Sequence, residues 1–274
     1  MEQFLFSAIV IAVCTASLAA WGGASRRWRK PEASPLPGCE VPRQPVPLGT
    51  LALVLACLGL FLLGPMEELI GRLLGWPPRP RNESTLREVQ LNLAFDLSLV
   101  CVLISSLIAQ RVPRASVGIR WDGIRRHFVE SQWGFLLAIG PVFLVLLLSD
   151  GLGLRSQEPE HELLRMLVSD ASWRNWLWIG ATAVVAAPLA EELIFRVLFQ
   201  GWLEELLPVW LAIGFSSLLF CFVHRFPDSL ALLPLAVVLG VMQHQRRNYW
   251  SVVGIHALFN AFNLLLTGLS NGRF

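Results

Sequence analysis

The sequence is short of charge. Only 15% of its 274 residues are Asp, Glu, Lys or Arg, and 54% are hydrophobic; a soluble domain carries about 25% charge. That balance excludes an ordinary soluble domain and points to an integral membrane protein. Lysine is nearly missing: Lys30 is the only one, so the other basic residues are arginines. They cluster beside apolar runs without interleaved aromatics, which excludes a nucleic-acid-binding surface. The five cysteines, Cys14, Cys39, Cys57, Cys101 and Cys221, show no metal or disulfide spacing. Four of them lie in apolar runs, where a thiol behaves as a small hydrophobe. H-E-x-x-H is absent, since His161-Glu162 is followed by Leu163-Leu164-Arg165, and no serine sits in G-x-S-x-G. These absences argue against a zincin-type metalloprotease and a serine-nucleophile elbow.

What is present is a series of apolar runs of helical length. Residues 4–21 are followed by Arg26-Arg27-Trp28-Arg29-Lys30. A signal peptide would carry its basic cluster before the apolar core, so this reads as a first spanning helix with a cytoplasmic end. Residues 31–47 are proline-rich and form a linker. Further spans are expected near 48–64, 89–110, 130–149, 173–207, 209–224, 229–244 and 250–267. The fifth is too long for an upright crossing; it opens on a belt of Trp173, Trp176 and Trp178 and is broken by Pro208. Between the spans, 65–88 reads as an outer loop with Trp76-Pro77-Pro78 and the sequon Asn82-Glu83-Ser84. Residues 111–129 are basic and amphipathic, and 150–172 are acidic through Glu158, Glu160 and Glu162. Asn92 and Asp96 in the third span read as helix–helix hydrogen-bonding groups. Eight spans put Arg26–Lys30, Arg111–Arg126 and Arg246-Arg247 on one, cytoplasmic, side, with Arg72, Arg79, Arg81 and Arg87 opposite. The expected fold class is therefore all-α: a polytopic membrane protein with about eight transmembrane helices and its active site in a core of the last four. The expected divisions are 1–125, N-terminal helices and linkers; 126–171, the fourth helix and an outer loop; and 172–268, the functional domain.

The stretch Pro188-Leu189-Ala190-Glu191-Glu192-Leu193-Ile194-Phe195-Arg196 sets two carboxylates and a guanidinium inside the fifth span. Ionisable groups at that depth are costly and mark functional sites. Glu192 and Arg196 are four apart and can pair on one helix face, while Glu191 is rotated away. Pro208 turns the fifth helix into the sixth; Glu191 lies 17 residues before it and His224 lies 16 after, so an antiparallel hairpin brings them nearly level. In the eighth helix His256 and Asn260 share a face, and Asn263 joins them.

In order, Glu191-Glu192…Arg196, Phe220…His224 and His256…Asn260 follow E-E-x-x-x-R, F-x-x-x-H and H-x-x-x-N. With Ala187-Pro188, Gly240 and Asn248-Tyr249-Trp250 as context, residues 172–268 resemble the CAAX prenyl protease type II and bacteriocin-processing (CPBP, or Abi) intramembrane proteases. A second E-E-x-x-x-R, Glu67-Glu68…Arg72, lacks the other two motifs at hairpin-compatible distances and reads as chance or an interfacial helix. The resemblance implies an intramembrane endopeptidase acting on a membrane-associated or lipidated protein or peptide. In it Glu191 would be the general base that activates water, braced by Glu192, Arg196 and Phe220. His224 would orient the water or polarise the scissile carbonyl, and His256 and Asn260 would hold the oxyanion. Metal-free chemistry with no cofactor is preferred. Zinc on Glu191, His224 and His256 is the variant that uses the same atoms. A non-catalytic membrane scaffold or bacteriocin-immunity protein of the same family is the alternative; a transporter would show broken midplane helices and repeated halves, which are not evident. Expected partners are membrane lipids and the substrate, with no nucleic acid. The arginine-rich composition points to a bacterial inner membrane as the location.

Overall fold

The computed structural model describes residues 2–28, 45–75, 85–120, 123–153, 166–167, 170, 172–224 and 228–269. Among these residues the chain forms helices and no strand. They are α1 (Glu2–Trp28), α2 (Leu48–Leu73), α3 (Leu86–Ala109) and α4 (Ile124–Gly151), with a 3-10 turn at Arg114–Val117 before α4. The next helix, α5, runs end to end through Trp173–Gly180, Ala181–Ala186, Ala187–Glu191, Glu192–Phe199 and Gln200–Leu206, the second and fourth of these pieces in π register. Then come α6 (Val209–Val223), a 3-10 turn at Asp228–Leu232, α7 (Leu233–Arg246) and α8 (Tyr249–Leu269). Five stretches are long and apolar enough to cross a membrane: Phe4–Arg26, Leu48–Gly71, Leu86–Ala109, Ile124–Gly151 and Tyr249–Leu269, with Val209–Val223 a shorter apolar helix. The protein is an all-α polytopic membrane protein.

The helix ends follow local chemistry. Thr85 starts α3 through a capping box: Glu88 N–H donates to Thr85 Oγ1 at 3.3 Å, and Thr85 N–H donates to Glu88 Oε2 at 2.6 Å. Ser172 caps α5 by accepting from Asn175 N–H at 3.4 Å. Pro208 separates α5 from α6. Two boundaries differ from the sequence expectation. α2 does not stop near residue 64 but continues through Pro65 to Leu73. One proline removes a single helical hydrogen bond, which membrane helices tolerate, so Glu67 belongs to an exposed helix face and not to a loop. α4 begins at Ile124, because Arg125 and Arg126 continue its pattern back to the left-handed Gly123, φ 81°. Several expectations lie outside the described residues: most of the linker at 31–47, the loop with Trp76-Pro77-Pro78 and the Asn82 sequon, and acidic Glu158, Glu160 and Glu162. The Glu68 and Arg72 side chains lie there too.

α5 is the centre of the bundle. α3 packs on its middle, α8 on its two π segments and the turn between them, and α2, α6 and α7 on the stretch from Glu192 onward. Leu193, Ile194, Phe195 and Leu198 are buried there with Leu103 of α3, Phe220 and Cys221 of α6, and Tyr249 of α8. Burial on every side explains why this stretch is apolar apart from its two charges.

α8 is held from behind by α4, its most extensive neighbour. Ser131 Oγ donates to the Ser251 carbonyl at 3.1 Å, and Ser251 Oγ donates to Glu130 Oε2 at 2.7 Å. Glu130 also takes Arg126 Nε at 2.9 Å, and the Asn248 amide meets His127 Nδ1 at 2.8 Å. The helices approach so closely at Gly254 that a Cβ there would run into the Ser131 side chain. Replacing Gly254 by leucine is therefore expected to overpack the α4–α8 seam at a cost of about 1–3 kcal/mol. Thermal unfolding of the purified protein in detergent checks this; an unchanged midpoint would mean that the seam is not packed in this register.

Candidate active site

The site grows from the register of α5. A regular α-helix would keep Glu191 and Glu192 on a fixed angular offset, but the chain changes register between them. The Glu192 N–H is shared between the carbonyls of Pro188 and Leu189, and the wider π register begins there. Such π turns recur at functional positions in helices. Here the change accompanies a sharp difference in environment: the Glu192 side chain is 0% exposed, and that of Glu191 is 19% exposed.

Glu192 is compensated from two sides. Arg196 Nε lies 3.4 Å from its Oε2, with the guanidinium also fully buried. His256 Nδ1 lies 2.8 Å from its Oε1. Arg196 Nη1 donates to Ser216 Oγ at 3.1 Å, and Ser216 Oγ donates on to the Phe195 carbonyl at 3.0 Å. The guanidinium carbon also stands 4.7 Å from the centre of the Phe220 ring, a cation–π distance. Phe220 is the common surface of the site: the His224 ring lies against it at 4.3 Å, and His256 meets it edge-on at 5.8 Å.

Glu191 is partly exposed. Its Oε2 is 3.4 Å from His224 Nε2 and 3.9 Å from His256 Nε2. His224 Nδ1 sits 2.6 Å from the Phe220 carbonyl. A carbonyl can only accept, so Nδ1 carries hydrogen and a neutral His224 turns the lone pair of Nε2 towards Glu191. A proton carried by either group would lie between them, so Glu191 and His224 are placed to pass one between carboxylate and imidazole.

The structure brings together Glu191, Glu192, Arg196, Phe220, His224 and His256, from α5, α6 and α8. Asn260 lies one turn beyond His256 and donates through Nδ2 to the Ala183 carbonyl at 2.7 Å. A carboxamide has two N–H bonds, so this contact uses one. For the zinc variant, Glu191, His224 and His256 do converge, but among the described residues no group of three His, Cys, Asp or Glu side chains is arranged to hold a metal ion.

Three residues at the site were not singled out from the sequence in that role. Ser216 relays between Arg196 and the backbone. The Tyr249 hydroxyl donates to the Leu189 carbonyl at 2.6 Å. Asp96, read from the sequence as a helix–helix hydrogen-bonding group, is half-buried on α3 and close enough to Glu191 for the two carboxylates to repel when both are ionised. The signal for Asp96 was its spacing of seven from the buried Val89 and Leu103, which puts it on the packed face of α3.

Removing one partner of a fully buried ion pair leaves the other charge uncompensated. Arg196→Met is accordingly expected to destabilise the protein by about 3–5 kcal/mol, and Arg196→Met combined with Glu192→Gln to recover most of that loss. Unfolding in detergent with increasing denaturant measures both; equal losses in the single and double variants would show that the pair does not act as a unit.

Residues 173–262 match the family model described as type II CAAX prenyl endopeptidase Rce1-like. The matched stretch begins at the first residue of α5 and ends within α8, and it contains Glu191, Glu192, Arg196, Phe220, His224, His256 and Asn260. No curated protein and no solved structure matches the chain. Over residues 173–262, the part that builds the site, the chain is similar to the Rce1-like type II CAAX prenyl endopeptidases.

Proposed function

We propose that the protein is an intramembrane endopeptidase that hydrolyses a peptide bond in a membrane-associated or lipidated protein or peptide, with Glu191 as general base. The observation that carries this reading is the partly exposed Glu191 side chain, 3.4 Å from His224 Nε2, set beside a glutamate that is wholly buried and neutralised. One carboxylate is spent on structure and its neighbour is left within reach of water. The family match over the same residues supports the reaction class.

Glu191 takes a proton from a water bound beside the Glu191–His224 pair, and the hydroxide so formed adds to the scissile carbonyl carbon. The developing oxyanion accepts hydrogen bonds from His256 and from the second amide N–H of Asn260. As the carbon–nitrogen bond breaks, the proton held by the Glu191–His224 pair passes to the leaving amine. Glu192 keeps the His256 ring in place through Nδ1, and Arg196 keeps Glu192 from carrying an uncompensated charge. The reaction needs no metal in this scheme. The substrate reaches the site from the lipid phase of a membrane, and the arginine-rich composition favours a bacterial inner membrane.

Glu191→Gln is expected to lower turnover at least about 100-fold, as loss of a general base does, and Glu67→Gln is expected to leave it unchanged. Mass spectrometry of protein termini in membranes from cells expressing each form makes the comparison. Matched termini in the wild type and Glu191→Gln at equal expression would favour a non-catalytic scaffold. Activity is also expected to persist in chelator; a loss restored by zinc would transfer the role of Glu191 to metal binding.

A further inference from the structure

Tyr249 is the only tyrosine in the sequence. It is the first residue of α8 and is 3% exposed. A buried phenol needs a partner for its hydroxyl, and this one finds it on α5: the Leu189 carbonyl, at 2.6 Å. That length is at the short end of the O–H···O range. Leu189 stands two residues before Glu191, at the turn where the helix changes register. In a regular α-helix its carbonyl would accept from the residue four further on. Here the Leu189 carbonyl accepts from the Glu192 N–H, which it shares with Pro188, and Tyr249 adds a donor from another helix.

We propose that Tyr249 is a positioning residue for the Glu191–Glu192 pair, pinning the register change of α5 through its bond to the Leu189 carbonyl. This rests on the peptidase reading above. The two glutamates are adjacent, yet Glu192 must meet Arg196 and His256 while Glu191 meets His224. Their relative direction is set by how the helix winds between Leu189 and Glu192. A return to α register would rotate Glu192 and all that follows against Glu191, so the two contact sets could not both be kept.

Two further observations agree. His256 and Asn260 follow Tyr249 at seven and eleven residues, on one stripe of α8. Asn260 bonds the Ala183 carbonyl, inside the other π segment. α8 therefore holds a carbonyl at each of the two irregular stretches of α5, with His256 between them. Tyr249 is itself held from outside the site. Its N–H donates to the Gly118 carbonyl at 3.0 Å. Gly118 has φ 76°, and a Cβ there would come within 2.7 Å of the Arg247 carbonyl oxygen, so the turn at Arg114–Val117 and the start of α8 fit against each other only with glycine at this position.

Tyr249→Phe deletes the one bond and keeps the ring. Thr50→Val is the comparator: Thr50 is a buried residue of α2 whose hydroxyl bonds Gln110 at 2.6 Å and Ser106 at 2.9 Å. Hydrogen exchange of each protein in lipid nanodiscs, read by mass spectrometry over residues 187–199, is combined with the yield of Glu191-dependent termini in membranes at equal folded amounts. Tyr249→Phe is expected to exchange roughly tenfold faster over 187–199, as loss of one well-made hydrogen bond allows, and to lose about tenfold in termini. Thr50→Val should do neither. Wild-type exchange in Tyr249→Phe overturns the proposal, and so does faster exchange with an undiminished yield, which would make the bond structural only. If the wild type itself yields no Glu191-dependent termini, the peptidase reading fails and takes the positioning role with it; the exchange result then records a helix clamp and no more.

Discussion

The site depends on one buried carboxylate being made tolerable. Glu192 is fully enclosed by the bundle, where an unpaired charge would cost several kcal/mol. Arg196, one turn along the same helix, and His256, reaching across from α8, meet its two oxygens. Those partners carry obligations of their own. The guanidinium is supported by Ser216 and by the face of Phe220, and Phe220 in turn sets the planes of both histidines. A single buried charge thus accounts for the polar residues of α5, α6 and α8 that would otherwise be anomalies in apolar helices.

Adjacent to this closed arrangement is an open one. Glu191 differs from Glu192 by one position in the chain and by its whole surroundings. It is partly exposed and meets His224, an imidazole whose other nitrogen is committed to a backbone carbonyl. Two identical side chains acquire different chemistry because the helix between them is wound irregularly. Irregular winding has a cost in backbone hydrogen bonding, and the α8 side chains offset it by serving α5 carbonyls directly.

The outer helices matter through what they hold still. α4 clamps α8 through Ser131, Glu130 and the close approach at Gly254. α3 covers the middle of α5 and brings Asp96 towards Glu191 from the far wall. The most exposed spanning helix, α1, packs mainly on α4. This gradient from enclosed α5 to lipid-facing periphery matches the stretch of chain that carries the family resemblance.

The sequence by itself determined the class of protein, the helix order and the membership of the site. Apolar run length, proline at 208 and the caps act locally, so they can be read in chain order. The level of Glu191 with His224 follows from hairpin arithmetic about Pro208, and the Glu192–Arg196 pairing follows from helical spacing. The continuation of α2 through Pro65 was misread because one proline removes a single helical hydrogen bond, which a membrane helix tolerates. What only the tertiary structure decided is where each polar atom points: His256 Nδ1 to Glu192, Asn260 to Ala183 and Tyr249 to Leu189. Periodicity assumes a constant rotation per residue. α5 departs from it twice, and the donors that stabilise those departures come from residues 60 and 77 positions away in the chain. No local pattern contains that information.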